Sequence, residues 1–253
     1  MMSELKDELT SCAHTLGIRL LRTCSADMWD RVPIQDPEYR PRNILPWAEN
    51  AVVMGIPLFV PMVHSAPSMV YQELYNTTNR ILDDAAYRIT LLLDDAGFKA
   101  TYMPRDGYYG IDALLGNHEA AFSHVLAGYY SGMGTIGDCH NLITKEYGPR
   151  VRIVTVLTDA PLEPDPMCPE GLCIHCGKCL RECPSHAFTD TGDGQYSMDF
   201  DACTRYHMKL KDERHWPCGT CVKVCPVGDD VRKYRGTVPM TNGGREHCGR
   251  KGS

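Results

Sequence analysis

The last third of the chain contains Cys173-Ile-His-Cys176-Gly-Lys-Cys179-Leu-Arg-Glu-Cys183-Pro184. After Cys203 and a fourteen-residue gap it continues with Cys218-Gly-Thr-Cys221-Val-Lys-Val-Cys225-Pro226. Three thiolates two residues apart on a tight loop reach three irons of one cubane. The cysteine that precedes proline points away and ligates a second cube. The spacing assigns Cys173, Cys176, Cys179 and Cys225 to one [4Fe–4S] cluster, and Cys203, Cys218, Cys221 and Cys183 to another. Zinc is the competing reading, because Cys-x-x-Cys pairs also hold that ion. Zinc, however, takes four ligands and makes no use of a third evenly spaced cysteine followed by Cys-Pro. Disulfides fit less well, since nothing else in the chain indicates secretion.

The 253 residues suffice for one large core plus a small module. A composition of 43% apolar and 23% charged residues is that of a soluble globular protein. The formal net charge of −6 argues against a nucleic-acid binder. The N-terminal residues are charged and lack the apolar centre of a signal peptide. The longest apolar run, Ala51 to Val63, contains Pro57 and Pro61 and is too short to span a bilayer. Of thirteen cysteines, Cys12, Cys24, Cys139, Cys168 and Cys248 stand outside the two runs. That odd remainder fits reduced thiols in a cytoplasm. The oxygen lability common to cubane clusters points to an anaerobic setting.

The elements that must position these cysteines follow from periodicity. Residues 4–16 carry apolar side chains at helical spacing and stop at Gly17, and 18–24 read as a strand. A proline-rich loop occupies 27–47. The run from Ala51 to Leu58 has the length and continuity of a buried central strand. The longest helix is expected over 69–96, ended by Gly97. A strand at 98–103, a helix over 113–128, a glycine-rich loop at 128–137 and a strand at 152–158 follow. Three prolines in Asp159-Ala-Pro-Leu-Glu-Pro-Asp-Pro166 mark a linker, which divides the chain into 1–160 and 161–253. Helix alternating with strand before that point predicts an α+β layered domain, with the cysteine module after it.

A second series of residues is informative: Ser131-Gly-Met-Gly-Thr-Ile-Gly137, then Asn141-Leu-Ile-Thr-Lys-Glu-Tyr-Gly-Pro-Arg-Val-Arg152, then Val156-Leu-Thr-Asp159. With the cysteine module it resembles the epoxyqueuosine reductases and their wider kin, the corrinoid-dependent reductive dehalogenases, over roughly residues 40–226. The resemblance implies a nitroreductase-like α+β domain with a ferredoxin-like double-cluster module packed on it. It also implies a cobalamin between them, or as second choice a flavin such as FMN, fed by the nearer cluster. Gly132, Met133, Gly134, Thr135 and Ile136 would carry over as cofactor contacts. Glycines there let backbone amides approach a flat or anionic group; a plain turn needing positive φ is the alternative. Arg150 in Tyr147-Gly-Pro-Arg150 would reach a cofactor carboxamide or phosphate, against the alternative of a surface turn.

Three departures weaken epoxyqueuosine chemistry itself. The acidic residue expected about thirteen positions before the glycine loop falls at His118, with Glu119 beside it. The loop's tryptophan is Thr135 here, and only 27 residues follow Pro226, too few for a tRNA-binding repeat extension. The chain resembles a shorter branch in which Phe122-Ser123-His124 precedes the loop. His124 is then the first candidate for proton donor, because an imidazole titrates near neutrality. His118 and Glu119 come next. Tyr108 and Tyr109 are candidates for lining the substrate side or for packing. Cys139-His140 invites a ligand role, with a buried free cysteine as the commoner explanation; Cys168 reads as a bystander.

Two functions from different classes follow. In the first, the chain is an oxidoreductase in which electrons enter through the two clusters from a ferredoxin- or flavodoxin-like donor and reduce a small molecule at a second cofactor. In the other, it is an electron-transfer protein that supplies low-potential electrons to a corrinoid protein and has no substrate of its own. A redox sensor is a third idea.

Overall fold

Residues 2–31, 37–106, 110–116, 118, 120–192 and 195–234 are described in the computed structural model. Its helices are α1 (Met2–Thr15), α2 (Met28–Arg31), α3 (Pro41–Ile44), α4 (Val60–His64), α5 (Met69–Asp95), α6 (His124–Tyr130), α7 (Lys178–Arg181), α8 (Phe200–Asp212) and α9 (Thr220–Val224). The strands are β1 (Leu20–Ser25), β2 (Asn50–Pro57), β3 (Ala100–Tyr102), β4 (Thr135–Ile136), β5 (Leu142–Ile143), β6 (Val151–Thr158), β7 (Phe188–Asp190) and β8 (Tyr196–Met198). The expected architecture is met: a mixed layered domain comes first, and the cysteine-rich module follows.

The first domain is built on an antiparallel sheet in the order β1-β2-β6-β3. Alternate residues of β2 face opposite ways. Val52, Met54 and Ile56 meet Leu82, Ile89 and Leu93 of α5 and Leu9 and Ala13 of α1. Ala51 and Val53 join Trp29, Phe122, Leu126 and Tyr130 on the other face. A strand covered on both faces has no polar side, which is why its sequence is an unbroken apolar run. Each such Leu or Ile contributes about 1.5–3 kcal/mol on burial. Helix α5 starts where Ser68 Oγ accepts the Tyr71 N–H at 3.2 Å, and ends before Gly97 at a φ of +85°.

One expected element changes. The helix anticipated over 113–128 is a 3₁₀ turn at Ile111–Leu114, a break at Gly116 (φ +76°), and α6 starting only at His124. Ser123 sets that start by accepting the Leu126 N–H at 3.3 Å. The proline-rich segment at 159–166 is pinned along its length. Leu162 lies in the core, the Ala160 carbonyl accepts from Asn50 (2.9 Å), and the Asp165 carboxylate accepts from the Thr23 amide (2.8 Å) and Lys6 (2.9 Å).

In the cysteine module the two runs repeat one local structure. Gly177 and Gly219, each directly after a cysteine, take φ of +65° and +67° and turn the chain into α7 and α9. The module is locked to the first domain by Arg150, which is fully buried. All five of its N–H donors are used. Nε donates to Asp230 Oδ2 (2.7 Å), and Nη2 to Asp230 Oδ1 (2.9 Å) and the Val227 carbonyl. Nη1 donates to the carbonyls of Cys225 (2.9 Å) and Val222 (3.4 Å). Beside it, the amides of Asp229 and Asp230 donate to the carbonyls of Lys145 (3.1 Å) and Glu146 (2.9 Å). Gly148 sits at φ +54°, and a Cβ there would overlap the Val227 carbonyl, so only glycine lets the two chains approach this closely. Breaking a buried ion pair from one side costs about 3–5 kcal/mol. Arg150→Met is expected to lower the unfolding free energy by that amount in urea unfolding followed by tryptophan fluorescence; a loss below about 1 kcal/mol would place the lock elsewhere.

Candidate metal centre and adjoining cleft

The fold brings cysteines of both runs together beside the first domain. Cys173, Cys176, Cys179 and Cys225 line one cavity together with Asp138, Cys139 and Ile143. The other four are electrostatic neighbours. Burial, then the Cys218 and Cys183 charges, push the Cys203 thiol up to about 11. Burial also raises Cys218 and Cys221, with Cys183 acting on the former and Cys139, then Cys218 and Cys203, on the latter. In the first set burial drives Cys225 up to about 11, with Cys139 and Cys176 adding to the rise. Thiolates crowded in this way are costly without a cation. Iron supplies the missing positive charge, so the donor set fits two cubane clusters. Asp138, Cys173 and His175 also place their ligand atoms within 4.8 Å of one another, with His175 Nδ1 2.8 Å from Asp138 Oδ1.

Next to the cysteines lies a cleft of about 300 Å³ between β6, α5 and the start of α6. Its polar groups come from Tyr75, Arg105, Asp106, His124, Asn141 and Arg152, and its apolar ones include Phe122, Leu142 and Val151. Asp106 is the hub of the polar side. It accepts from Tyr75 Oη (3.2 Å), Arg105 Nη1 (2.5 Å) and Arg152 Nη2 (3.2 Å). Arg152 also lies over the Tyr75 ring, 4.2 Å from its centre. Asn141 forms part of this wall and turns its amide to the thiols, with Nδ2 3.5 Å from Cys221 Sγ and 3.4 Å from Cys139 Sγ.

Comparison with known proteins matches residues 172–228 to the 4Fe-4S dicluster domain family. Residues 172–228 are a 4Fe–4S dicluster domain. Over 199 residues the chain is 30% identical to the tetrachloroethene reductive dehalogenase of Sulfurospirillum multivorans, covering 70% of this chain and 35% of that protein. It is 31% identical over 115 residues to the epoxyqueuosine reductase of Listeria monocytogenes, covering 41% and 29%. Among solved structures, a catabolic reductive dehalogenase superposes with a TM-score of 0.65 at 23% identity, over 86% of this chain and 31% of the other; epoxyqueuosine reductases share the fold as well. The homologues are thus the two reductase families anticipated from the motifs. The chain spans about a third of the length of the curated relatives it matches. Among the described residues no helix is long and apolar enough to cross a membrane.

Outside the dicluster domain the structure redistributes the sequence candidates. Gly132, Met133, Gly134, Thr135 and Ile136 do not line the cleft; their space is filled by the chain itself. A Cβ at Gly132 would overlap the Pro166 carbonyl, and one at Gly134 the Ile143 carbonyl. Met133 is buried in the core, and Thr135 Oγ1 accepts the Leu172 N–H (2.9 Å) at the entrance to the dicluster domain. Arg150, nominated for a cofactor, is consumed by the lock described above. His118 Nε2 lies 2.7 Å from Asp201 Oδ1 with its ring stacked on Phe200, so it docks the first domain onto α8. Glu119, Tyr108 and Tyr109 lie outside the described residues. Cys168 Sγ–H donates to the Glu170 carbonyl (3.4 Å), and His140 Nε2 lies 2.9 Å from the Tyr196 carbonyl. Tyr75, Arg105, Asp106, Asn141 and Arg152 escaped sequence reasoning. Asn141 and Arg152 end a quoted motif without a role of their own, and Tyr75, Arg105 and Asp106 have no spacing to mark them.

His124 does line the cleft, yet both ring nitrogens are engaged. Nε2–H donates to the Pro104 carbonyl (3.1 Å), and Nδ1 accepts from Thr155 Oγ1 (3.0 Å). Burial lowers its pKa from 6.5 to about 4, the Pro104 bond opposing that shift. The imidazole is therefore neutral at pH 7, and the fold favours its uncharged form. That stabilisation is complete above about pH 6.5 and is lost as pH falls toward 4, of order 3 kcal/mol. Half-buried His207, lowered to about 4 by burial, acts in the same window. Thermal melts are expected to hold steady from pH 8 to 7 and to decline below about 6.5, with a shallower decline in His124→Gln. Identical slopes would remove His124 from the effect.

Proposed function

We propose that this chain is an iron–sulfur oxidoreductase, or the electron-delivering part of one. Two [4Fe–4S] clusters pass electrons to a cofactor seated at the cleft, where a small molecule is reduced. The observation that carries the reading is Asn141, a residue of the cleft wall whose amide is within hydrogen-bond range of Cys221 Sγ. A group in the cleft would stand one side chain away from a cluster ligand. We read residues 1–160 as the part that takes cofactor and substrate, and 161–253 as the part that takes electrons from a donor.

The acceptor we favour is a corrinoid. One structural neighbour is described as a reductive dehalogenase with B12-dependent dehalogenation, another as bound to 3-bromo-4-hydroxybenzoic acid. The residues present suit one edge of such a macrocycle. The cleft offers an apolar floor, Arg105 and Arg152 at its polar side, and an open face through which the rest can project. The glycine loop gives it no cradle, because backbone already occupies that space. When bound, a corrinoid supplies a cobalt centre able to deliver electrons to a substrate. The chain's own residues supply the setting. Asp106 fixes Tyr75, Arg105 and Arg152 in place, and Arg152 is held from behind by Asn79 Oδ1 at 3.0 Å. Tyr75 Oη keeps its proton, since burial raises its pKa. Tied at both nitrogens, His124 shapes the wall and does not deliver a proton.

Anaerobically reconstituted protein mixed with hydroxocobalamin or FMN tests this reading. Corrinoid is expected to bind, with its visible bands shifting, and to be reduced faster by reduced protein than by the same reductant alone. Arg152→Ala is expected to weaken binding about tenfold, or about 1.4 kcal/mol. Tight FMN binding without corrinoid binding would reassign the acceptor. Intact clusters with neither cofactor bound would favour a carrier that serves a partner protein.

A further inference from the structure

Cys139 is a ninth thiol at the cysteine sets. It is 5% exposed, comes from the first domain, and shares the cavity of Cys173, Cys176, Cys179 and Cys225. It belongs to neither cysteine run. Cys179, a member of the first set, lines that cavity with it. Two residues on, Asn141 holds Cys139 from behind at 3.4 Å and reaches Cys221, a member of the second set, at 3.5 Å. The two residues sit on the turn between β4 and β5. That turn is closed by the Gly137 N–H donating to the Asn141 carbonyl (3.0 Å) and anchored by Leu142 and Ile143 in β5. One short turn of the first domain thus enters the cavity of the first set, reaches a ligand of the second and forms part of the cleft wall.

We infer that Asn141 and Cys139 are non-ligating donors, Asn141 to the Cys221 thiolate of one cluster and Cys139 to a thiolate of the other set whose cavity it shares, and so raise both reduction potentials and couple the clusters to the cleft. This rests on the reading of the eight cysteines as cluster ligands. With iron bound, the ligand cysteines have no proton to give, so Cys139 Sγ–H and Asn141 Nδ2–H are the donors. Each cluster gains one electron and one negative charge on reduction, while both donors keep their protons. A hydrogen bond to a ligand sulfur stabilises the more negative state, which moves the potential up. Cys139 and Asn141 are positioning residues: they touch the ligands and not the reacting molecule.

The experiment is an EPR-monitored redox titration of the anaerobically reconstituted full chain, with iron counted in every sample. Asn141→Leu is expected to shift one cluster's midpoint downward by about tenfold in its reduction equilibrium, which for one electron is about 59 mV. Cys139→Ala is expected to lower the other cluster's midpoint. Cys139→Ser, which keeps an O–H donor, is expected to recover most of that shift. Full iron content and unchanged midpoints in Asn141→Leu and Cys139→Ala would overturn the inference. So would loss of one cluster's iron in Cys139→Ala restored by no other donor, because that would make Cys139 a ligand. A wild-type chain that takes up no iron fails differently: it removes the cluster reading on which the inference stands.

Discussion

The buried guanidinium of Arg150 is the constraint on which the arrangement depends. A charged group out of water is tolerated only when its donors are met and its charge is balanced. Here Asp230 balances it and three carbonyls of the dicluster domain, those of Val222, Cys225 and Val227, complete its shell. Arginine suits the task because its five donors have a fixed planar geometry that lysine cannot reproduce. The bonds run between the start of β6, the centre of the first domain's sheet, and the end of the second cysteine run. Any drift of the dicluster domain against the sheet would strand a buried charge.

What the lock holds in register is a shared wall. The stretch from Gly137 to Arg152 serves both sides in turn. Asp138 and Cys139 face the first set of cysteines, Asn141 bridges to the second set and the cleft, Gly148 and Arg150 fasten the module, and Arg152 enters the polar side of the cleft. Supporting contacts lie around this stretch. Lys223 donates to the Ala66 carbonyl (2.8 Å), the Tyr75 and Trp216 rings meet edge to face at 4.7 Å, and His118 pairs with Asp201. Rigid positioning of this kind is what electron transfer between fixed centres asks of a protein, whose chemistry is otherwise the cofactor's.

The parts of the structure legible in the sequence are those written as a repeat or a period. The Cys-x-x-Cys spacings singled out thiols that line one cavity, because a cubane's geometry constrains sequence-local residues. The apolar run of β2 and the length of α5 were legible because burial imposes a period or removes one. The break at Gly116 was not, since apolar spacing continues across a residue that leaves the helix by its own φ. The glycine loop was misjudged for a related reason. Glycine marks a close approach but does not say what approaches, and at Gly132 and Gly134 the neighbour is the chain's own backbone. Arg150 and His118 show the limit of reading role from residue type: both had the chemistry proposed for them, and both are engaged in joining the two parts of the chain. The cleft is assembled from Tyr75, Arg105, Asp106, Asn141 and Arg152, which come together only once the sheet is formed.

The central claim is that eight thiolates, held against the cleft by the Arg150 lock, carry a pair of iron cubes. Mössbauer spectroscopy of the chain reconstituted with ⁵⁷Fe under anaerobic conditions tests it most directly. About eight irons per chain are expected, all in the [4Fe–4S] form, by the two-cube ligand count. Zinc in place of iron, or about four irons in a single cluster, would contradict it.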